Sequence, residues 1–405
     1  MRLKRLMLVA LMLSTTPALA EKGKPKAPDR EVWVTLGADA VAPMRESFKS
    51  AGWEAPASIA AKEHASVFRL RESQLSQLAT LMHERFNRCA GFITYDTREE
   101  ALSSLEPAPT LAPQSLVSYT LTNATVVNNL MASMTEANVR STITSLSSYP
   151  TRYYTSQGGV DAANWLLAKW KSFIPSTRTD VTAELYRHAG WAQPSVILTI
   201  RGTTLPSEVV VVGGHLDSVN SSGGNAPGAD DDASGVASFT EVIRVAMLRN
   251  YQPQRTVRFI AYAAEEVGLR GSKEIATAYK NAGVNVVGVL QLDMTNYKGS
   301  SVDVGIITDY TNAAQNTFLR NLITTYVKIT QTNSTCGYGC SDHAAWHNLG
   351  YVASIPFEST VRASNPYIHS SGDTLSRSSG TATHALKFSK IAAAYVAELA
   401  KGTAQ

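Results

Sequence analysis

Glu208-Val-Val-Val-Val212 reads as a buried strand, and the segments that follow it constrain the whole fold. The run leads through a polar loop to Ser234–Leu248, where Val236, Phe239, Ile243 and Met247 fall on one helical face. Thr256–Tyr262 reads as another strand and is followed by a helix from about Gly271 to Ala282; Val286–Leu292 and Tyr351–Ile355 are further strands. Upstream, Thr135–Leu146 and Val160–Phe173 read as helices. Strand, helix, strand at this spacing implies βαβ units. The expected fold class is therefore α/β, with a mostly parallel mixed central sheet flanked by helices on both faces. Apolar residues at 44% and charged residues at 17% suit a packed globular chain and exclude a disordered one. The formal charge of +4 is spread along the chain, with no basic cluster interleaved with aromatics, so no nucleic-acid partner is expected.

The N-terminal part reads differently. Arg2, Lys4 and Arg5 precede the apolar run Leu6–Leu13, which is too short to span a bilayer, and Ala18-Leu-Ala20 is a small-x-small cleavage site. Residues 1–20 are expected to be a signal peptide, and the protein to be secreted, extracellular or periplasmic, with no membrane span; a buried N-terminal helix is the plainer alternative. Residues 21–110 form a small α+β region, with a strand at Val32–Leu36 and an amphipathic helix at Ser73–Phe86. Glu106-Pro-Ala-Pro-Thr-Leu-Ala-Pro113 puts three prolines in eight residues, which neither a helix nor a central strand accommodates. The region before this linker is expected to be a removable pro-segment, with an accessory domain as the alternative, and residues 111–405 to be the catalytic domain. The three cysteines are Cys89, Cys336 and Cys340. Cys336-Gly-Tyr-Gly-Cys340 can close a small disulfide loop in an oxidising compartment or hold a metal; Cys89 is then left over.

In open α/β sheets, functional groups collect beyond the C-terminal ends of the strands. After Val209–Val212 come His215 and Asp217; the next loop carries Asp230-Asp231-Asp232; Glu265 and Glu266 follow Phe259–Ala264; Asp293 follows Leu290-Gln-Leu. Taken singly, such residues usually cap helices or face water. Converging on one sheet edge, they would repel one another unless cations neutralised them. Imidazole with carboxylates suits zinc, and more than three carboxylates point to a two-metal site with one bridging acid. His343-Ala-Ala-Trp-His347 also places two histidines one helical turn apart, but it lacks the glutamate of the His-Glu-x-x-His motif, so packing or hydrogen bonding is its expected role.

The ordered strings Gly-Gly-His215-Leu-Asp217-Ser, Ala-Pro-Gly-Ala-Asp-Asp231-Asp-Ala-Ser-Gly, Ala-Tyr-Ala-Ala-Glu265-Glu266-Val-Gly-Leu-Arg-Gly-Ser, Leu-Gln-Leu-Asp293-Met-Thr-Asn-Tyr and Asn365-Pro-Tyr-Ile-His369 closely resemble the M28 zinc peptidases, in particular the secreted bacterial leucyl aminopeptidases of the Vibrio type. The resemblance runs from about Ser115 to the C-terminus and implies a zinc-dependent exopeptidase fold with two Zn2+ per chain. It implies that Asp231 bridges both ions, that its peptide bond to Asp232 is cis, that His215 and Asp293 complete one site, and that Glu266 and His369 complete the other. Glu265 would be the general base acting on a zinc-bridged water, Asp217 would orient His215, and Tyr338 would reach the substrate carbonyl. The resemblance also implies a Cys336–Cys340 disulfide that presents Tyr338.

A water shared by two cations is acidified towards neutrality, and a base such as Glu265 contributes roughly 10²–10⁴-fold. The implied pocket for the first side chain comprises Met294, Ile307, Ile355, Phe357, Val361 and Ile368. Ile355, Val361 and Ser364 stand where larger Met or aromatic residues are expected, so the pocket should be apolar but wider, with leucine-like residues preferred. The expected partners are peptides with a free N-terminus and a protease that removes the pro-segment; the enzyme is expected to be a monomer with no further domain after residue 405. A glutaminyl-cyclase-like acyltransferase, a catalytically dead binding module and a carboxypeptidase using Arg362 are the competing readings.

Overall fold

The structure is a computed structural model that describes residues 29–86, 88, 90–106 and 117–405. The expected signal peptide, Cys89 and nearly all of the Pro-rich linker lie outside the described residues.

A small unit comes first: β1 (Glu31–Gly37), α1 (Val41–Ser50), β2 (Ser58–Ala61), β3 (Ala65–Arg71), α2 (Leu75–Phe86), β4 (Phe92–Tyr95) and α3 (Arg98–Ser103). Its strands form an antiparallel sheet in the order β2-β3-β1-β4. Alternation sets the faces: Val32, Val34 and Leu36 point into one core with Met44 and Phe48 of α1 and Leu75, Leu78 and Met82 of α2. That core is not closed on itself. It continues into Tyr154, Ala263, Ala264 and Val267 of the larger region, and Ile93 and Tyr95 pack with Leu269, Ala344 and Ala345.

The larger region begins with α4 (Ala124–Ala132), α5 (Glu136–Ser147) and α6 (Gln157–Phe173), followed by β5 (Val181–Tyr186), β6 (Ser195–Ile200), β7 (Leu205–His215), α7 (Ala233–Leu248), β8 (Arg255–Tyr262), α8 (Arg270–Asn281) and β9 (Asn285–Gln291). Then come β10 (Val304–Ile307), α9 (Ala313–Leu322), β11 (Gln331–Ser334), α10 (His343–Asn348), β12 (Ala353–Ser354), β13 (Pro356–Phe357) and α11 (Thr383–Ala400). The central sheet has the order β12-β9-β7-β8-β6-β5. β12, β9, β7 and β8 pair in parallel, whereas β6 pairs antiparallel to both β8 and β5. The four valines divide between the faces: Val210 and Val212 enter the core with Phe239 of α7 and Ala392 of α11, and Val209 and Val211 meet Ile275 and Tyr279 of α8 and Trp346 of α10. Each buried valine stabilises the sheet by about 2 kcal/mol. Helices therefore cover both faces, as the strand–helix alternation requires.

Most expected elements lie within a few residues of their predicted bounds. Tyr351–Ile355 differs: only Ala353–Ser354 pairs in the central sheet, and Pro356–Phe357 belongs to a separate sheet, β11-β10-β13. No helix among the described residues is long and apolar enough to cross a membrane.

Candidate metal centre

The central strands deliver their side chains to one edge. β7 ends on His215, and its two preceding glycines leave the room this needs: a Cβ on Gly213 would lie 2.3 Å from the Tyr262 ring, and one on Gly214 would lie 2.5 Å from the Leu292 carbonyl oxygen. Asp232 caps α7 by accepting from Gly235 N at 2.9 Å, and also accepts from His215 N at 3.0 Å and Met294 N at 3.1 Å. One carboxylate thereby ties three segments of the edge together, at the helix end that favours negative charge. The Asp231–Asp232 peptide bond is cis. After β8, Ala264 adopts φ 58°, and the chain turns so that Glu265 N and Glu266 N both donate to the Asp217 carboxylate, at 3.0 and 3.1 Å.

The ligands expected from the resemblance meet here, although they come from five segments. His215 Nε2 lies 2.9 Å from Asp231 Oδ1 and 3.6 Å from Asp293 Oδ1. His369 Nε2 lies 3.3 Å from Asp231 Oδ2 and 2.8 Å from Glu266 Oε2. Asp231 therefore turns one oxygen to each histidine, with Asp293 beside the first and Glu266 beside the second. All five are buried. His215, Asp231 and Glu266, and likewise His215, Asp232 and Asp293, bring their donor atoms within 4.8 Å of one another, close enough to hold a metal.

Charge decides what such a site requires. Both Glu265 oxygens and Asp293 Oδ1 are buried without a hydrogen-bond partner among the described residues, an arrangement that is unfavourable unless a cation meets it. Burial, reinforced by Asp342, Glu266 and Asp293, pushes Glu265 well above the usual carboxylate range. Burial opposes charge on His369, yet Glu266 and Asp231 outweigh it and raise the ring to about 10. Metal binding requires these rings without their extra protons, so an ion would take over the neutralisation of the surrounding carboxylates. The donor set fits zinc.

The sequence pattern of Peptidase family M28 matches residues 195–395, which contain every proposed ligand. Leucine aminopeptidase 1 of Arthroderma otae is 36% identical over 306 residues, covering 71% of this chain and 81% of that protein. The probable aminopeptidase YDR415C of Saccharomyces cerevisiae is 35% identical over 294 residues, 70% of this chain and 78% of that one. The chain belongs to peptidase family M28. Among solved structures, the aminopeptidase LapA of Legionella pneumophila matches with a TM-score of 0.79 at 28% identity, covering 92% of this chain and 99% of that one. Residues 117–405 could not supply that share of this chain alone, so the likeness takes in the small N-terminal unit. The family together with these aminopeptidase relatives makes the chain a metalloaminopeptidase.

Several supports of this M28 site were not evident from the motifs. Asp373 Oδ2 accepts from Asp231 N at 3.0 Å, and Asp373 also receives Asp230 N, so an acid far along the chain holds the Asp230–Asp232 loop. Asn365 donates through Nδ2 to Asp230 and Asp373 at 3.2 and 3.1 Å. Glu358 hydrogen-bonds to Asp230; burial and Asp230 push it well above the usual range. Arg152, fully buried, donates to the carbonyls of Leu216, Gly228, Leu146 and Pro227 at 2.8, 2.9, 3.0 and 2.5 Å. Single polar residues far apart in sequence leave no periodic signal.

Asp217 differs in emphasis from expectation. Its carboxylate lies 3.5 Å from His215 Nδ1, its own carbonyl is nearer at 3.2 Å, and its principal bonds are to the two glutamate N–H groups. Cys336 and Cys340 form the disulfide, and Tyr338 lies between them in the chain. His343 Nε2 meets the Asp309 carbonyl at 3.2 Å and His347 packs on Tyr310, so the His343/His347 pair serves packing and hydrogen bonding. Of the expected pocket, Met294, Ile307, Ile355 and Ile368 are buried, and Phe357 and Val361 are half-buried. Backbone bonds join Ile307 N to Ile355 O at 3.2 Å and Glu358 N to Met294 O at 3.2 Å, which brings these segments together. Arg362 is exposed.

Proposed function

We propose that the chain is a secreted two-zinc aminopeptidase that removes N-terminal, preferably leucine-like residues from peptides and is made as a latent precursor. The observation that carries this reading is Asp231, which offers one carboxylate oxygen to each of two histidine–acid pairs. His215, Asp293 and Asp231 would hold one ion, and Glu266, His369 and Asp231 the other. Bound there, the ions would acidify a water and polarise the scissile carbonyl. Glu265 would accept the proton of the attacking water and return it to the leaving amine. Asp217 holds the Glu265 backbone, Asp373 holds the bridging loop, and Tyr338 donates to the substrate carbonyl as charge develops. Met294, Ile307, Ile355, Phe357, Val361 and Ile368 form an apolar pocket for the first side chain. The leucine aminopeptidase relatives and the apolar pocket residues support the leucine-like preference.

The leader pattern of residues 1–20 and the Cys336–Cys340 disulfide support export. The small unit supports latency through its position: Arg88 lies 4.8 Å over the Tyr338 ring, Thr94 N donates to Gly268 O at 3.0 Å, and Arg270 pairs with Glu72 at 2.6 Å. A protease cutting in the linker would release it. The partners are then that protease and peptides with a free N-terminus, and the working enzyme is a monomer without nucleic-acid or membrane contacts. Metal counting tests the reading. Two zinc ions per chain, falling to one in Glu266→Ala and to none in Asp231→Ala, are expected; one ion per unaltered chain would refute it and favour glutaminyl-cyclase-like chemistry.

A further inference from the structure

His83 belongs to the small unit and to none of the metal motifs, yet its ring packs against a proposed ligand. The ring centroids of His83 and His369 are 4.8 Å apart, with their planes tilted by 46°. One turn earlier on α2, Thr80 donates to the Ser221 carbonyl at 3.4 Å, and Ser221 in turn donates to the His369 carbonyl through N and Oγ at 3.0 and 3.1 Å. α2 is thus joined to the His369 segment at two points. His83 Nδ1 is buried and has no hydrogen-bond partner among the described residues, a state that an imidazole nitrogen leaves when it gains a donor or a metal.

Asp231, Glu266 and His369 supply three side chains to their metal position. Catalytic zinc sites keep three protein ligands and an open place, whereas closed sites have four. Two imidazoles bound tetrahedrally to one zinc at Zn–N distances of 2.0–2.1 Å have ring centroids about 5 Å apart, which is close to the separation found. The inference rests on the two-metal reading above and deepens it. We propose that His83 is a fourth ligand, lent by the N-terminal unit to the metal held by Asp231, Glu266 and His369, closing the place that substrate needs. Latency then comes from coordination as well as from cover, and departure of the unit would break the His83–metal bond and leave the position to water or substrate.

The test uses the full chain with cobalt(II) in place of zinc, read by its visible absorption. His83→Phe keeps a ring against His369 but offers no nitrogen, and His83→Ala removes both. At unchanged metal content, both variants should shift the cobalt bands in the same direction. They should match the spectrum of the chain cut in the linker and freed of the small unit. Zinc should leave to a chelator about tenfold faster or more, at least what loss of an outer-shell partner costs. A His83→Phe spectrum that superimposes on that of the unaltered chain at equal cobalt content would overturn the proposal and leave the two-metal reading standing. Failure of the unaltered chain to take up cobalt would overturn both.

Discussion

The two regions of the molecule bury different things. Among the described residues, the N-terminal unit buries Thr35, Ser66 and Thr94 as its polar groups and no charged side chain. The larger region buries Asp217, Asp230, Asp231, Asp232, Glu265, Glu266, Asp293, Asp342, Glu358 and Asp373 around the end of its parallel strands. Buried charge is unfavourable unless it is paired or bound to metal, so it marks where chemistry is done. A core of apolar side chains alone marks a part whose contribution is where it docks. The small unit docks through Thr94, Glu72 and α2 onto the loops that carry Glu265, Glu266 and His369.

Glu265→Gln should separate the two regions most strongly. It should lower kcat by roughly 10²–10⁴-fold with zinc content unchanged, whereas Arg88→Ala in the small unit should leave zinc content unchanged and should not lower the activity of the full chain. A loss of metal in Glu265→Gln would make that residue a ligand instead of a base. Next, Asp373→Asn should weaken zinc binding by about 10–100-fold, measured by competition with a chelator, because the bridging loop loses its anchor. Unchanged affinity would show that Asp373 only packs. Phe48→Ala empties a fully buried site against Trp53 and should destabilise the small unit by about 3–5 kcal/mol. Its expected signature is a several-fold rise in full-chain activity at constant zinc content; a fall in zinc content would mean that the two regions share one folding unit.

The smallest effect concerns acid. Burial lowers His343 from the ordinary 6.5 to about 3 and His384 to about 4. Both are folded as neutral rings, and the unfolded chain takes up protons first. Their contribution is therefore complete above pH 6.5 and is lost as pH falls from there towards 4 and 3. Thermal melts between pH 7 and 4 should show the larger region losing stability, and His384→Asn should flatten part of that slope.

Much of this contrast was legible in the chain itself, and physical reasons separate what was from what was not. Val209–Val212 and the helical face of Ser234–Leu248 carry strong periodicity, so β7 and α7 appear within a few residues of their expected bounds. The proposed ligands follow strand ends, and four of the five can be found by that rule; His369 needed the family strings because it sits on a loop. α11 was not assigned, since Thr383–Ala400 is buried nearly all round and shows little amphipathic contrast. β5 and β6 were not assigned, although Val196-Ile-Leu-Thr-Ile200 of β6 is as apolar and β-branched as the strands that were. His83 could not have been connected with His369 from sequence, because only the docking of α2 brings them together.

We propose that the small unit holds closed a metal-dependent aminopeptidase site built from the buried acids and histidines. Hydrolysis of leucine p-nitroanilide and its N-acetylated form, by the full chain and by the chain cut in the linker, with and without a chelator, tests this most directly. Cleavage of the free-amine substrate alone is expected, faster in the cut chain, abolished by chelation and restored by zinc. Equal cleavage of the acetylated substrate, or activity that survives complete removal of metal, would contradict it.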